Sequence, residues 1–220
     1  TWFIAEGIPI TPYDDAGNKN PYPMMRLVAR DASGTPLATT DIVLPVSDEM
    51  DCRSCHATGS GPAAEPSAGW VMGVSDPQLN MRLNALRLHD QRHASDPVFA
   101  AALAAVGYNS AGLEATQAAG KPVLCAVCHL SNALGIAVPA GTEPLTRAMH
   151  GGHANVIDPL TNLTLDATEN RSACYRCHPG SVTRCLRGAM GSAVAADGTM
   201  AMQCQSCHGT MSAVGASTRQ

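Results

Sequence analysis

The chain has few of the residues that usually build a protein core. Leu, Ile, Val and Phe together number 39 of its 220 residues, below the roughly 20% expected of a folded chain. Aromatic residues make up only 4% of the chain and charged residues 15%. Because the charge is also low, the composition does not indicate a disordered polyelectrolyte. Such a chain can fold well if large bound groups supply the missing apolar mass.

Two further absences exclude classes of partner. The formal net charge is −4, and no run of basic residues occurs, which argues against nucleic acid and anionic membrane surfaces as partners. No apolar stretch reaches the length of a transmembrane helix. The sequence therefore predicts a chain that binds no nucleic acid and has no membrane span.

Cysteine is the residue that the chain has in excess. Eight of its nine cysteines form four pairs of one kind, C-x-x-C followed at once by histidine. This is the signature of covalent attachment of a c-type haem. The four motifs are CRSCH at 52–56, CAVCH at 125–129, CYRCH at 174–178 and CQSCH at 204–208.

The chemistry of attachment explains this spacing. Two thiols add across the two vinyl groups of one porphyrin, and the following imidazole becomes the proximal ligand of the iron. A zinc ribbon or a disulfide framework also uses paired cysteines, but neither needs a histidine after every second cysteine. We therefore expect four haem c groups. Their predicted attachment residues are Cys52, Cys55, Cys125, Cys128, Cys174, Cys177, Cys204 and Cys207, and their predicted proximal ligands are His56, His129, His178 and His208.

Four of the eight histidines remain, as many as the distal ligands that four six-coordinate irons need. They form two close pairs, His89 with His93 and His150 with His153. Members of a pair approach from one side, so they cannot be trans ligands of one iron. Each pair should serve two different haems and hold them close together, with Gly151 and Gly152 allowing close approach to a flat ring. Methionine, including Met190, Met200 and Met202, is the competing distal ligand.

Helical patterns occur in the middle of the chain. Residues 77–93 have a capping Asp76, a proline in the first turn and an apolar stripe of Leu79, Leu83 and Leu86 that His93 continues. Two further helices are expected at 97–106 and 111–119. The fold class that we predict is a mostly irregular and α-helical polypeptide wrapped around stacked haems.

A small β element precedes this region. The sequence predicts strands in 21–30 and 37–46, joined by the turn-rich segment 31–36. The acidic cluster around Asp14 is predicted to form a turn, and a calcium-binding loop is the alternative. Segment 1–50 is thus the β lead-in and 51–220 the tetrahaem region. Cys185 lies outside every motif and could be a buried apolar residue, a disulfide partner for another chain or a thiolate ligand.

In these motifs and spare histidine pairs the chain resembles the bis-histidine multihaem c-type cytochromes of bacteria and archaea, including those of extracellular electron transfer. The stretch GIPITPYDD…LPVSDEMDC resembles the β-rich lead-in of longer outer-surface cytochromes of this kind. Tetrahaem cytochromes that polymerise into conductive filaments are similar in size and haem count. The resemblance implies stacked haems, a homo-oligomer or filament in which a neighbouring subunit can supply a distal histidine, and redox proteins as partners.

Three functions are compatible with these features. The first is an electron conduit without a substrate pocket, in which every iron is closed by two ligands. The second is a multihaem oxidoreductase for a nitrogen or sulfur oxyanion, which requires an open distal position. The third, compatible with the first, is a self-assembling haem-bearing subunit. Because haem is attached after export, we expect an extracellular, cell-surface or periplasmic chain whose export signal has been removed, and which could be a piece of a longer protein.

Overall fold

The structure is a computed structural model, and it describes residues 14–18, 23–43, 50–131, 135–178, 194–198 and 201–217. The chain divides into two compact units. Unit one comprises Thr1–Asp51 and Tyr175–Gln203, and unit two comprises Cys52–Cys174 and Cys204–Gln220. The division falls inside the third cysteine motif. The sequence predicts a different boundary, at residue 50, between a segment without haem motifs and a segment that carries all four. This boundary stays a prediction.

The predicted β-hairpin in unit one is confirmed. Strands β1 (Met24–Arg30) and β2 (Pro36–Val43) pair antiparallel. Asp31 forms the turn, because its carboxylate accepts hydrogen bonds from the backbone N–H groups of Ser33 and Thr35, both at 2.9 Å. The turn interpretation of Asp14 is also confirmed, since its Oδ1 accepts the N–H of Asn18 at 2.8 Å.

Most regular structure of unit two is helical and short. The three helices predicted from the sequence are all present, the first with the predicted limits and the other two shorter by one to three residues. Asp76 caps α2 as predicted, since its Oδ1 accepts the N–H groups of Gln78 and Leu79. The helices are α1 (Arg53–His56), α2 (Pro77–His93), α3 (Pro97–Ala105), α4 (Leu113–Ala118), α5 (Gln205–His208) and α6 (Met211–Ala216). Shorter 3₁₀ turns span Pro62–Ala64, Cys125–Val127 and Ala173–Arg176, and a π-helical turn spans Arg147–Gly151.

The predicted apolar stripe of α2 is wrong at Leu79 and at His93, which the sequence predicts to continue the stripe but which is exposed. Leu79 is 38% exposed, whereas Asn80 and Asn84 are buried on the same helix beside Leu86 and Leu88. The asparagine amides are buried because they bond to backbone groups of the loop that follows the first motif. Hydrogen bonding to that loop, not apolar burial alone, therefore selects the inward face of α2.

Helix α2 also anchors α4 through charged groups. The Asp90 carboxylate accepts the first two backbone N–H groups of α4, from Leu113 at 2.8 Å and Glu114 at 2.9 Å. Burial raises the pKa of Asp90. Arg87 pairs with the Glu114 carboxylate, and this interaction raises the pKa of the guanidinium. The N-terminus of α4 is thus capped by a residue of another helix.

Two small apolar clusters form the core of unit two. Leu86, Leu103, Leu113 and Val123 make up the larger one, with Phe99 and Tyr108 packed against it. Leu165, Ala173 and Met211 make up the other, beside Val156. Such small clusters agree with the scarcity of core residues in the sequence. None of the helices in the described part of the chain is long and apolar enough to cross a membrane.

Leu103 offers a direct test of the larger cluster. Its side chain is 2% exposed, so Leu103→Ala should leave a cavity and lower the free energy of unfolding by about 3 kcal/mol. Chemical denaturation followed by circular dichroism measures this change. Leu37→Ala is the matched control, because Leu37 is 68% exposed and its loss should change the free energy by less than about 0.5 kcal/mol. Equal effects of the two changes would contradict this description of the core.

Candidate haem-binding residues

Three of the four cysteine motifs close a helical turn. In these three the backbone N–H of the histidine donates to the carbonyl of the first cysteine, whereas the third motif begins in a 3₁₀ turn. Residues three and four apart on such a turn lie on one face. In the first and second motifs the two cysteines and the histidine therefore share a face of the turn. The distance from the backbone nitrogen of the histidine to the carbonyl oxygen of the first cysteine is 2.9 Å in each of the three, for His56 to Cys52, His129 to Cys125 and His208 to Cys204.

The seven cysteines whose side chains the structure describes form no disulfide with one another. Burial, and secondarily the neighbouring Cys125, raises the pKa of Cys128, so this group is a neutral thiol near neutral pH. Cys185 lies outside the described residues, as do Met190 and Met200.

Two of the motif histidines each lie beside one of the spare histidines. The ring centroids of His56 and His153 are 6.2 Å apart, with an angle of 81° between the ring planes. Those of His129 and His89 are 6.4 Å apart, with an angle of 74°. A histidine nitrogen lies about 2 Å from a first-row metal ion and the ring centroid about 1 Å further back, so two trans ligands have centroids about 6 Å apart. Both pairs have the spacing of trans ligands of one metal.

Backbone carbonyls orient three of the imidazoles. The Nδ1 atoms of His129, His150 and His153 lie 2.8, 2.9 and 2.6 Å from the carbonyl oxygens of Glu143, Thr146 and Met149. An Nδ1–H that donates to a carbonyl leaves the lone pair on Nε2, which is the arrangement usual for metal-ligating histidines. These three rings are therefore held in the tautomer that presents Nε2 to a ligand.

His150 lies in the π-helical turn, a rare conformation that is frequent at functional sites, and His153 lies two residues after the turn ends. Helix α6, which follows the fourth motif, packs against this turn. A Cβ at Gly215 would lie 3.1 Å from the backbone nitrogen of Gly151 and 3.4 Å from Cβ of His150. Only glycine allows this approach without a shift. The segment after the fourth motif therefore lies directly against His150.

The other pair lies at the end of α2. The rings of His89 and His93 are 4.6 Å apart, and Phe99 packs against His89 at 5.2 Å. His93 is exposed, and its Nδ1 lies 3.6 Å from a carboxylate oxygen of Asp96. Of the two, His89 is the one next to a motif histidine. That each pair holds two haems together stays a prediction.

Two of the rings are in surroundings that disfavour their charged form. Burial lowers the pKa of His56 to about 4, with smaller contributions from His153 and Arg92. Burial likewise lowers the pKa of His89 to about 4, with contributions from His93, His129 and Arg92. The Nδ1 atoms of both rings are buried without a hydrogen-bond partner. Both imidazoles are thus neutral near neutral pH, the form that ligates a metal.

Sequence analysis missed the residues that position the first motif. Asn84 is fully buried, donates from Nδ2 to the His56 carbonyl at 3.0 Å and accepts the Val71 N–H at 2.7 Å. Asn80 bonds to Thr58, two residues after His56. The available signal was the spacing, because two residues four apart share one helix face and asparagine is unfavourable inside helices.

The fourth motif is positioned by the segment that precedes the third. Gln205, inside the fourth motif, donates to the carbonyl of Asn170 at 2.9 Å, and Arg171 donates to Ser206 at 3.3 Å. Asn170 is itself buried and donates to the Asp158 carboxylate at 3.2 Å. Hydrogen bonds within unit two therefore hold this motif, whose own histidine, His208, is exposed.

The other two motif histidines belong to different units of the chain. His178 belongs to unit one, and His208 belongs to unit two. In the described part of the chain no group of three or more histidine, cysteine or acidic side chains could hold a metal ion. A haem iron needs only two ligands from the protein, because the porphyrin supplies four nitrogens. The two facing imidazoles at each of the first two motifs match that number of protein ligands.

Comparison with known proteins finds no family model, no curated protein and no solved structure that matches the chain.

Proposed function

We propose that the chain transfers electrons through four covalently bound c-type haems with mainly bis-histidine ligation. The observation that carries this proposal is the placement of His153 and His89 beside the motif histidines His56 and His129, at 6.2 and 6.4 Å between ring centroids. Each of these spare histidines is distant in sequence from the motif that it meets. Both placements are explained if each spare histidine binds the iron of the haem attached at that motif.

The chain's own residues would do three things. The cysteine pairs would form thioether bonds, the motif histidines would bind from one side, and the spare histidines would close the other side. A bound haem would supply an iron that gains and loses a single electron. Buried imidazoles such as His89 would hold the group and exclude water and other small ligands from it. Such closure favours electron transfer over the binding of a substrate.

The partners and location are part of the proposal. We propose redox proteins or further copies of the chain as partners, in a homo-oligomer or filament, and an extracellular, cell-surface or periplasmic location. The thin core of unit two supports an architecture in which cofactors supply apolar contacts. Negative-stain microscopy of the purified protein tests the filament, and dispersed particles across salt and pH would count against it.

The second candidate function is a multihaem oxidoreductase acting on a nitrogen or sulfur oxyanion. The observation that favours it is His93, which is 45% exposed and packs against His89 and Phe99. If His93 binds no iron, one haem has a position open to a substrate. Asp96, which lies close to this ring, would then be an acid–base group near that position.

The reduced protein distinguishes the two candidates. Mass spectrometry should first show four haems bound covalently to the exported chain. Carbon monoxide binds ferrous haem only where a position is open or weakly held. We expect the Soret and α bands of the dithionite-reduced protein to stay in place on addition of carbon monoxide. If the bands of about one quarter of the haem shift, one of the four irons is open, which would favour the oxidoreductase. A chain without bound haem would contradict both candidates.

A further inference from the structure

We infer that His153 is the distal ligand of the haem on the first motif, that His89 is the distal ligand of the haem on the second, and that these two haems are neighbours along α2. The inference rests on the proposed function and assigns ligands that the sequence leaves open. From the sequence, each of the four spare histidines could serve any haem.

Geometry distinguishes His153 from its neighbour His150. The His153 ring lies 6.2 Å from that of His56, and its Nδ1 lies 2.6 Å from the Met149 carbonyl, so Nε2 keeps the lone pair. His150 packs instead against α6, where its Cβ would lie 3.4 Å from a Cβ at Gly215. The two histidines of this pair are therefore directed to different surroundings, and His153 is the one at the first motif.

Geometry also distinguishes His89 from His93. The His89 ring lies 6.4 Å from that of His129, whose Nδ1 lies 2.8 Å from the Glu143 carbonyl. His93 lies one turn further along α2, near the end of the helix, and is exposed. The pair thus places one ring at the second motif and leaves the other at the surface.

Helix α2 contacts both sites. Asn84 holds the carbonyl of His56, and His89 lies five residues further along the same helix. Five residues of α-helix rise about 7.5 Å, which is less than the width of a porphyrin. The residues that would hold the haems of the first and second motifs therefore lie along one helix, although the two motifs lie far apart in sequence.

Crossed variants of the haem-loaded protein test the pairing. C52S/C55S removes the first haem, and C125S/C128S removes the second, leaving three haems in each case. His153→Ala and His89→Ala are then made in the four-haem protein and in both backgrounds. The readout is the fraction of ferrous haem whose spectrum shifts with carbon monoxide, with haem content determined by mass spectrometry.

The pairing predicts a crossed pattern. Each histidine variant should open about one quarter of the haem in the four-haem protein, because one of four irons loses a ligand. His153→Ala should open no further iron in C52S/C55S but about one third of the haem in C125S/C128S, and His89→Ala should do the reverse. Each background thus serves as the matched control for the other.

The contrary outcomes are distinct. An iron opened by His153→Ala in C52S/C55S would overturn the pairing while leaving the electron-transfer proposal intact, and so would an unchanged spectrum in the four-haem protein. Absence of covalent haem in the unmodified chain would overturn the proposed function itself. If the three-haem proteins do not fold, the four-haem double variant H56A/H153A decides. If His56 and His153 bind the same iron, about one quarter of the haem should react with carbon monoxide in this variant. If they bind two different irons, about one half should react.

Discussion

Replacing Asn84 with alanine should lower the free energy of unfolding by about 3–5 kcal/mol, a large fraction of the stability of a domain. Asn84 is the only residue of α2 with no exposed surface. Its loss leaves the Val71 N–H and the His56 carbonyl without their hydrogen-bond partner, which they contact at 2.7 and 3.0 Å. Each buried polar group left without a partner costs about 1–3 kcal/mol, and the cavity adds to this cost.

Denaturant unfolding of the haem-loaded protein measures the effect, with circular dichroism and the Soret band as separate probes. Gln78→Ala is the matched control, because it removes an exposed amide from the same helix and should change the free energy by less than about 0.5 kcal/mol. Asn84→Asp keeps the acceptor for Val71 but removes the donor to His56. It should therefore also destabilise. Unfolding midpoints that agree among the wild type and both Asn84 variants would refute the role of this network.

The regular elements of the chain could be predicted because their signals are local. A capping aspartate followed by proline marks the start of both α2 and α3, and the observed starts at Pro77 and Pro97 agree with it. The hairpin follows from a turn-forming Asp31 between two β-prone segments. The buried face of α2 could not be predicted by counting leucines, because Asn80 and Asn84 face a loop whose position depends on the tertiary fold.

The candidate site divides in the same way. The motifs identify their own cysteines and histidines, since attachment chemistry sets a fixed local spacing. Which spare histidine meets which motif depends on packing between distant segments. His153 lies beside His56 from the segment just after the π-helical turn, and His89 lies beside His129 from the end of α2. No periodicity in the sequence contains this information, so the pairing needed the structure.

Acidification should destabilise the haem-free chain steeply between about pH 6.5 and pH 4. The pKa of His56 and that of His89 are each lowered from 6.5 to about 4 in the folded chain, chiefly by burial. A lowered pKa means that the unfolded state binds the proton more tightly. The stability of the neutral, buried form is therefore complete above pH 6.5 and falls as the pH drops towards 4, by about 3 kcal/mol for each imidazole.

Chain produced in the cytoplasm, where haem is not attached, allows the measurement by urea unfolding at a series of pH values. His89→Gln should remove about half of the acid-induced loss, because glutamine does not take up a proton. His93→Gln changes an exposed imidazole one turn away and should retain most of the loss, since His89 stays buried. An unfolding free energy independent of pH over this range would mean that neither ring is buried in the absence of haem. Their positions beside His153 and His129 would then have to arise only when an iron draws each pair together.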